Sequence, residues 1–480
     1  MKKLFYFLAS IALSMAMLFA GCTLVGKDGM DGRDGKDGQN VTIEDIYNKY
    51  VAEHGETSFE DFLREYLSYS DSEIEEAVSL RSAINRSLMS GVTILTRFAY
   101  TSSRPGVFGQ SSSTTYKVYT GSGAILWLDK TVGDAYVVTN CHVIYDDSSD
   151  TTYCNDIRLY LYGQDVGGVN YAISGNDIIG DENYRITAEI AGASANYDIA
   201  LLKVTGSEVL KRSDAVAVSN KTDVAQALND SFVQAESAVV GETVYAIGNA
   251  SGEGMSASNG IVSKDSEYIE VSLSDSDENS YYSYRVLRTT APINHGNSGG
   301  GLYNATGKLV AIVNAKDEGE DVDNMGYALP ANTVRRLVVS MYDSFVANGN
   351  KPNSTSGTKC GINKAFLNIT TVVSDSYARL ENGVAVITEL VRVESVEGAP
   401  AKGVLQRGDI LVSANLTRKD TNGDEKVIED IKISRSFSLT EMLISARAGD
   451  KLTLVVERDK DEEPITVSIT FASNNFKYFA

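Results

Sequence analysis

The stretch Ile293-Asn294-His295-Gly296-Asn297-Ser298-Gly299-Gly300-Gly301-Leu302 sets one hydroxyl among small and turn-forming residues, then passes into an apolar run. Glycine serves where a backbone must turn left-handed or another group must approach it closely. Upstream, Tyr136-Val137-Val138-Thr139-Asn140-Cys141-His142-Val143-Ile144 ends an apolar strand in a histidine. Asn196-Tyr197-Asp198-Ile199-Ala200-Leu201-Leu202-Lys203-Val204 places an aspartate directly before another strand. Taken singly, these read as a packed histidine, a strand cap and a tight turn.

The chemistry of acyl transfer joins them. A serine hydroxyl is a weak nucleophile at neutral pH and needs a base within hydrogen-bond reach. Histidine suits that task because it titrates near neutrality. A buried carboxylate fixes the imidazole tautomer and stabilises the imidazolium. A Gly-x-Ser-Gly-Gly turn supplies backbone N–H groups for a developing oxyanion. His142, Asp198 and Ser298 follow in an order known for one class of serine triads, each at the border of a strand.

Further segments carry a family resemblance. They are Gly121-Ser122-Gly123-Ala124-Ile125-Leu126, Val240-Gly241-Glu242-Thr243-Val244-Tyr245-Ala246-Ile247-Gly248-Asn249, Asn259-Gly260-Ile261-Val262-Ser263 and Asn324-Met325-Gly326-Tyr327-Ala328-Leu329-Pro330. With the triad stretches, they make residues 83–475 resemble the HtrA/DegP proteases, trypsin-like serine proteases followed by PDZ domains. The resemblance implies a mainly β fold: a chymotrypsin-like double six-stranded β-barrel and then one PDZ domain. It implies His142 as general base, Asp198 as its orienter and Ser298 as nucleophile. The N–H groups of Gly296 and Ser298 would line the oxyanion hole. Val313, Asn314 and Ala315 would pair with substrate backbone, with Gly326 and Tyr327 beside the specificity pocket. His295 and Gly301 depart from the family's usual residues; His295 reads as an exposed turn residue. Thr289-Thr290-Ala291-Pro292-Ile293-Asn294 contains no acid, so cleavage after small or medium apolar residues is expected rather than after Arg or Lys. Residues 163–184 read as a surface loop insertion.

Beyond Asn348-Gly349-Asn350-Lys351-Pro352-Asn353, Lys359-Cys360-Gly361-Ile362 resembles a PDZ carboxylate-binding loop. Gly398-Ala399-Pro400-Ala401-Lys402-Gly403-Val404-Leu405-Gln406-Arg407-Gly408-Asp409-Ile410-Leu411 resembles the family's PDZ core. Such a groove takes an extended C-terminal peptide as an added strand. Asp420 to Asp430 reads as a charged hairpin insertion.

The N-terminus reads as an address. Lys2 and Lys3 precede an apolar run from Leu4 to Ala20 that is short for a membrane span. Phe19-Ala20-Gly21-Cys22 resembles a bacterial lipobox, which implies lipidation at Cys22 and a place in the cell envelope, outside the cytoplasm. Gly26, Gly29, Gly32, Gly35 and Gly38 recur at every third position. The run is too short for a stable triple helix and reads as a flexible spacer. The expected organisation is a signal peptide over 1–21, the spacer over 22–40, a helical stalk over 41–80 and the protease over 81–345. A linker over 346–358 and the PDZ domain over 359–475 follow.

The chain has 480 residues and a net charge of −21, which argues against nucleic acid as a partner. With 41 glycines, 26 tyrosines and six prolines, it suits strands joined by turns. No Cys/His cluster has metal spacing, so neither metal nor cofactor is expected. Cys141 and Cys154 lie in a compartment that permits a disulfide. Expected partners are misfolded proteins, C-terminal peptides and the membrane beneath a lipid anchor; relatives of this type are often homotrimers. Two classes stay open on sequence: an active endopeptidase, or a gated or inactive barrel serving as a peptide-binding, chaperone-like surface protein.

Overall fold

Short β-branched and aromatic runs broken by Gly, Asn and Asp favour strands and tight turns. Strands accordingly make up 50% of the described residues and helix 17%. The computed structural model describes residues 50–51, 62, 66, 71–106, 109–164, 171–174, 177–180, 182–235, 238–272, 281–316, 325–351, 361–420, 422–458 and 463–479. The signal peptide, the glycine spacer, most of the stalk and Lys359-Cys360 lie outside them.

Helix α1 (Asp71–Ser90) leads into β1 (Gly91–Gly106), β2 (Gly109–Asp129), β3 (Asp134–Thr139) and β4 (Ile157–Leu161). Then come β5 (Tyr171–Ser174), β6 (Asp177–Gly180), β7 (Ile186–Ser194) and β8 (Ile199–Val204). The strands close a barrel in the order β1-β2-β3-β8-β7-β4. After α2 (Glu208–Arg212) and α3 (Val224–Asp230), six more strands follow: β9 (Thr243–Gly248), β10 (Ser256–Ser272), β11 (Tyr281–Thr289), β12 (Gly301–Asn304), β13 (Leu309–Lys316) and β14 (Gly326–Pro330). They close a second barrel as β10-β11-β14-β13-β12-β9.

Period-two alternation builds both cores. Ile125 and Val137 point into the first barrel with Ile94 and Leu202. Their neighbours Leu126 and Val138 join Leu201, Ile247, Ile312 and Leu329, drawn from both barrels, in a shared core. Strands buried on two faces read as continuous apolar runs, as Ile199-Ala200-Leu201-Leu202 does. Val244, Leu287, Leu302 and Val310 fill the second barrel.

The helix α1 runs to Ser90, beyond the expected end of the stalk at 80, because Leu88, with Ile84 one turn earlier on the same face, packs on the shared core. The insertion over 163–184 is not a plain loop. Strands β5 and β6 form a hairpin, and Ile178 packs on Leu95 and Tyr160 of the first barrel.

Helix α4 (Ala331–Ala347) crosses to the C-terminal domain, formed by β15 (Ile362–Ala365), β16 (Ile369–Glu381), β17 (Val384–Val396), β18 (Ile410–Lys419), β19 (Glu425–Lys432), α5 (Ser438–Met442), β20 (Lys451–Glu457), β21 (Ile465–Thr470) and β22 (Phe476–Phe479). The order β16-β17-β18-β20-β21 makes its sheet, with β19 also on β18, so the expected charged insertion is the β18–β19 hairpin. Strands β15 and β22 pair separately.

Buried ion pairs join this domain to the second barrel and to α4. Arg285 on β11 forks onto Glu441 on α5 at 2.6 and 2.8 Å. Arg336 on α4 reaches Glu429 on β19, with contacts down to 2.6 Å. Arg435 meets Asp265 on β10. Burial by itself pushes the Glu441 carboxyl up, but Arg285 and Arg336 outweigh it and hold the group below its ordinary value. The planar guanidinium fork suits such bidentate pairing.

Candidate active site

Strand β3 delivers a short turn, Cys141–Val143, that carries His142. Asp198 stands directly before β8 in the left-handed region, at φ 50°, a conformation aspartate tolerates better than most residues. Because β3 and β8 pair, Thr139 lies opposite Ala200 and the two loops meet. The Asp198 Oδ1 accepts from the His142 backbone N–H at 2.8 Å, and Oδ2 lies 2.7 Å from Nδ1. That contact assigns the proton to Nδ1 and leaves Nε2 as the acceptor. The His142 side chain is 33% exposed and that of Asp198 1%, so the ring faces the cleft while the carboxylate is sealed.

The carboxylate has a further donor. Asn314 Nδ2 bonds Asp198 Oδ2, and Tyr284 O–H donates to Asn314 Oδ1 at 3.1 Å. Burial keeps the Tyr284 phenol protonated by pushing it far above its ordinary value. Asn140 Nδ2 donates to the Asp198 carbonyl at 2.9 Å. Burial alone would push the His142 imidazole down; the charge and hydrogen bond of Asp198 outweigh it and raise it above its ordinary 6.5.

Ser298 lies in the glycine turn between β11 and β12. Its Oγ donates to the Asn314 carbonyl at 3.0 Å. Two carbonyls flanking the turn are held: His295 O by the Ser251 N–H at 2.6 Å and Gly296 O by Ser122 Oγ at 2.6 Å. The Gly296 and Ser298 N–H groups have no acceptor among the described residues, so they are available to an oxyanion. Gly296 sits at φ 91°, where a Cβ would come within 2.2 Å of the Asn249 carbonyl. Gly299 sits at φ 84°, where a Cβ would meet Ser122 O and Thr139 Oγ1, each at 2.2 Å. These contacts explain the glycine-rich composition around the serine.

Strand β13 carries Val313, Asn314 and Ala315, with a bulge between Val313 and Ala315. Asn314 therefore turns its amide inward to Asp198 while its carbonyl faces Ser298. Its role toward the carboxylate, like those of Tyr284, Asn140 and Ser122, was not read from sequence; a lone buried asparagine on a strand gives no local signal. Gly326 opens β14, and a Cβ there would lie 2.5 Å from Ile293 Cγ1, so no side chain fits between β14 and the segment before the serine. Tyr327 is half-buried beside it. His295 is exposed, as read from sequence. No disulfide joins Cys141 to Cys154; both are buried thiols, and burial pushes Cys154 up to about 11. No acidic or Cys/His cluster among the described residues is arranged to hold a metal. Gly361 and Ile362 lie at the N-terminal end of β15, while Lys359 and Cys360 are outside the described residues.

Two closed six-stranded barrels hold the His142–Asp198 pair and the glycine turn of Ser298, and the likenesses that follow support a serine endopeptidase. Residues 121–312 match the family model of the Trypsin-like peptidase domain. The chain is similar to the Serine protease Do-like HtrA of Bacillus subtilis (strain 168), at 26% identity over 75% of this chain and 69% of the relative. It is similar also to the Serine protease Do-like HtrA of Lactococcus lactis subsp. lactis (strain IL1403), at 25% identity over 77% and 78%. A solved structure of the HtrA-type protease AlgW with tripeptide aligns at a TM-score of 0.44 and 18% identity, covering 83% of this chain and 97% of that one. No helix among the described residues is long and apolar enough to cross a membrane.

Proposed function

We propose that His142, Asp198 and Ser298 are the catalytic triad of this endopeptidase. The observation that carries the reading is the sealed Asp198 carboxylate, which holds His142 Nδ1 and is bonded by Asn314, the residue whose carbonyl accepts from Ser298 Oγ. For attack, the Ser298 hydroxyl turns from the Asn314 carbonyl to Nε2, which takes its proton as Oγ bonds the scissile carbonyl carbon. The Gly296 and Ser298 N–H groups receive the oxyanion. His142 then gives its proton to the leaving amine, and water repeats the sequence on the acyl-enzyme. Val313, Asn314 and Ala315 offer the edge for substrate backbone. Among the described residues, Ile293, Gly326 and Tyr327 bring no acid beside the serine turn, which suits a small or medium apolar residue before the scissile bond.

The C-terminal domain is the PDZ domain, with Gly361 and Ile362 at the loop that takes a C-terminal carboxylate. The chain is anchored through lipidated Cys22 and acts outside the cytoplasm on misfolded or C-terminally recognised envelope proteins. Support for this part comes from the sequence resemblances and from the separate β15 edge. Casein degradation by a chain beginning at Thr23, beside its Ser298→Ala variant, tests the triad. Cleavage is expected from the first and lost in the second; cleavage surviving in the variant places the nucleophile elsewhere. Sequencing the products tests the pocket, and a dominant Arg or Lys before the cut overturns that part.

A further inference from the structure

We propose that Tyr284 is a positioning residue for the reaction, acting through Asn314: its hydroxyl holds the Asn314 amide in the one orientation that donates to Asp198. The inference rests on the triad reading given above. Three polar atoms of Asn314 are engaged. Its carbonyl accepts from Ser298 Oγ at 3.0 Å, its Nδ2 donates to Asp198 Oδ2, and its Oδ1 accepts from Tyr284 O–H at 3.1 Å. The same Asp198 Oδ2 lies 2.7 Å from His142 Nδ1. One carboxylate oxygen thus serves two donors, the imidazole and the amide. The hold on the amide therefore bears on where the imidazole points and on how firmly it keeps its proton.

An asparagine amide has a donor end and an acceptor end. Reversed, it would set Oδ1 against the carboxylate, acceptor against acceptor. In the observed orientation Oδ1 needs a donor, because Asn314 is 3% exposed and a buried acceptor left unpaired is costly. Tyr284 O–H is that donor. Burial keeps the phenol protonated, and the Asp198 charge pushes the same way. Hydrogen bonds in a chain polarise one another, so the bond at Oδ1 strengthens the one at Nδ2. The strand fixes the phenol in place. Tyr284 is 3% exposed and belongs to the shared core with Ile199, Leu201 and Leu329. Its chain neighbour Arg285 turns the other way, onto Glu441. Strands β11 and β13 lie in the second barrel, while Asp198 directly precedes β8 of the first. The relay therefore holds the carboxylate from across the barrel interface. A core tyrosine needs only some partner for its hydroxyl; this one's partner is the amide that bonds the Asp198 carboxylate. Asp198 is the charged group that acts on His142. Cys141, next in the chain, is a buried thiol, and Tyr284 stays uncharged.

The test uses the chain from Thr23, with kcat and KM measured across pH on a peptide substrate. Tyr284→Phe removes the hydroxyl and keeps the ring. It is expected to lower kcat about 3–10-fold, the worth of one neutral hydrogen bond, with KM unchanged. Its kcat/KM limb is expected to shift upward, because a carboxylate with a weakened second donor holds the His142 proton more firmly. A merely loosened site, in which His142 slips from Asp198, would move the limb down. An unmoved or lowered limb overturns the proposal. A double-mutant cycle checks the route. In the Asn314→Leu background, Tyr284→Phe is expected to cost nothing further in kcat, since the hydroxyl acts through the amide. Losses that multiply overturn the proposal. Should Tyr284→Phe fail to fold alone, the double variant, which leaves no Oδ1 to satisfy, decides in its place: a kcat equal to that of Asn314→Leu supports the proposal, and a further fall overturns it. The Ser298→Ala variant separates the two readings. If it is inactive while Tyr284→Phe matches the parent in kcat and limb, the triad stands and the role of Tyr284 falls. If Ser298→Ala cleaves as the parent does, the triad reading falls and the proposal with it.

Discussion

At the scale of single residues, the proposed roles of His142 and Asp198 tie activity to pH. A base must be neutral, and Asp198 holds His142 above its ordinary value despite burial. Activity is therefore expected to rise with pH through a titration above 6.5. The folded state binds this proton more tightly than the unfolded chain. Its stabilising contribution is complete below the unfolded value and is lost as pH rises through the folded one. The site is thus best held when protonated and active when not. In Asp198→Asn the raising charge is gone and burial remains, so the limb of kcat/KM against pH shifts down, while kcat falls about 10⁴-fold. An upward shift would contradict the assignment. Asn314 makes a second prediction. It donates to a buried carboxylate, a bond worth about 1.5–3 kcal/mol. Asn314→Leu is expected to lower kcat by roughly 10–100-fold at 1.4 kcal/mol per decade, with KM less affected. Steady-state kinetics on a peptide substrate read both, and an unchanged kcat would remove Asn314 from the positioning role.

At the scale of elements, α4 turns one face to the shared core and presents Arg336 to the C-terminal domain. Arg336 is 1% exposed and Glu429 8%. Removing one partner of a buried pair strands the other charge, at a cost of about 3–5 kcal/mol. Arg336→Ala should therefore lower stability by that amount in urea unfolding. The double change Arg336→Met with Glu429→Leu should recover most of it, because apolar replacements of similar volume leave no buried charge. If the double variant is as weak as the single one, volume rather than charge holds the contact. The β18–β19 hairpin, legible as a charged insertion, owes its place to this pair; the sequence offers no hint that Glu429 faces inward.

At the scale of the whole molecule, Arg285, Arg336 and Arg435 bind the C-terminal domain to the β10–β11 side of the second barrel and to α4. The barrels and that domain are expected to unfold together. Trp127, the one tryptophan, sits on β2 and reports the barrels, while far-UV circular dichroism follows every strand. The two transitions should coincide in urea, and Arg285→Ala with Glu441→Ala should separate them. Separate transitions in the parent chain would mean the ion pairs do not couple the units.

The strands, their turns and the three stretches around His142, Asp198 and Ser298 were legible in the sequence, because period-two burial, turn chemistry and the needs of acyl transfer are all local. The glycines around Ser298 signalled crowding, although not that Asn249, Ser122 and Thr139 supply it. What pairs with what was decided only by the tertiary structure. The inward turn of Asn314 follows from a bulge, the hairpin over 163–184 from a patch on the first barrel, and the seating of Phe476–Phe479 on β15 from an open edge. Such contacts join residues far apart in the chain, and their energies depend on burial that no local pattern records.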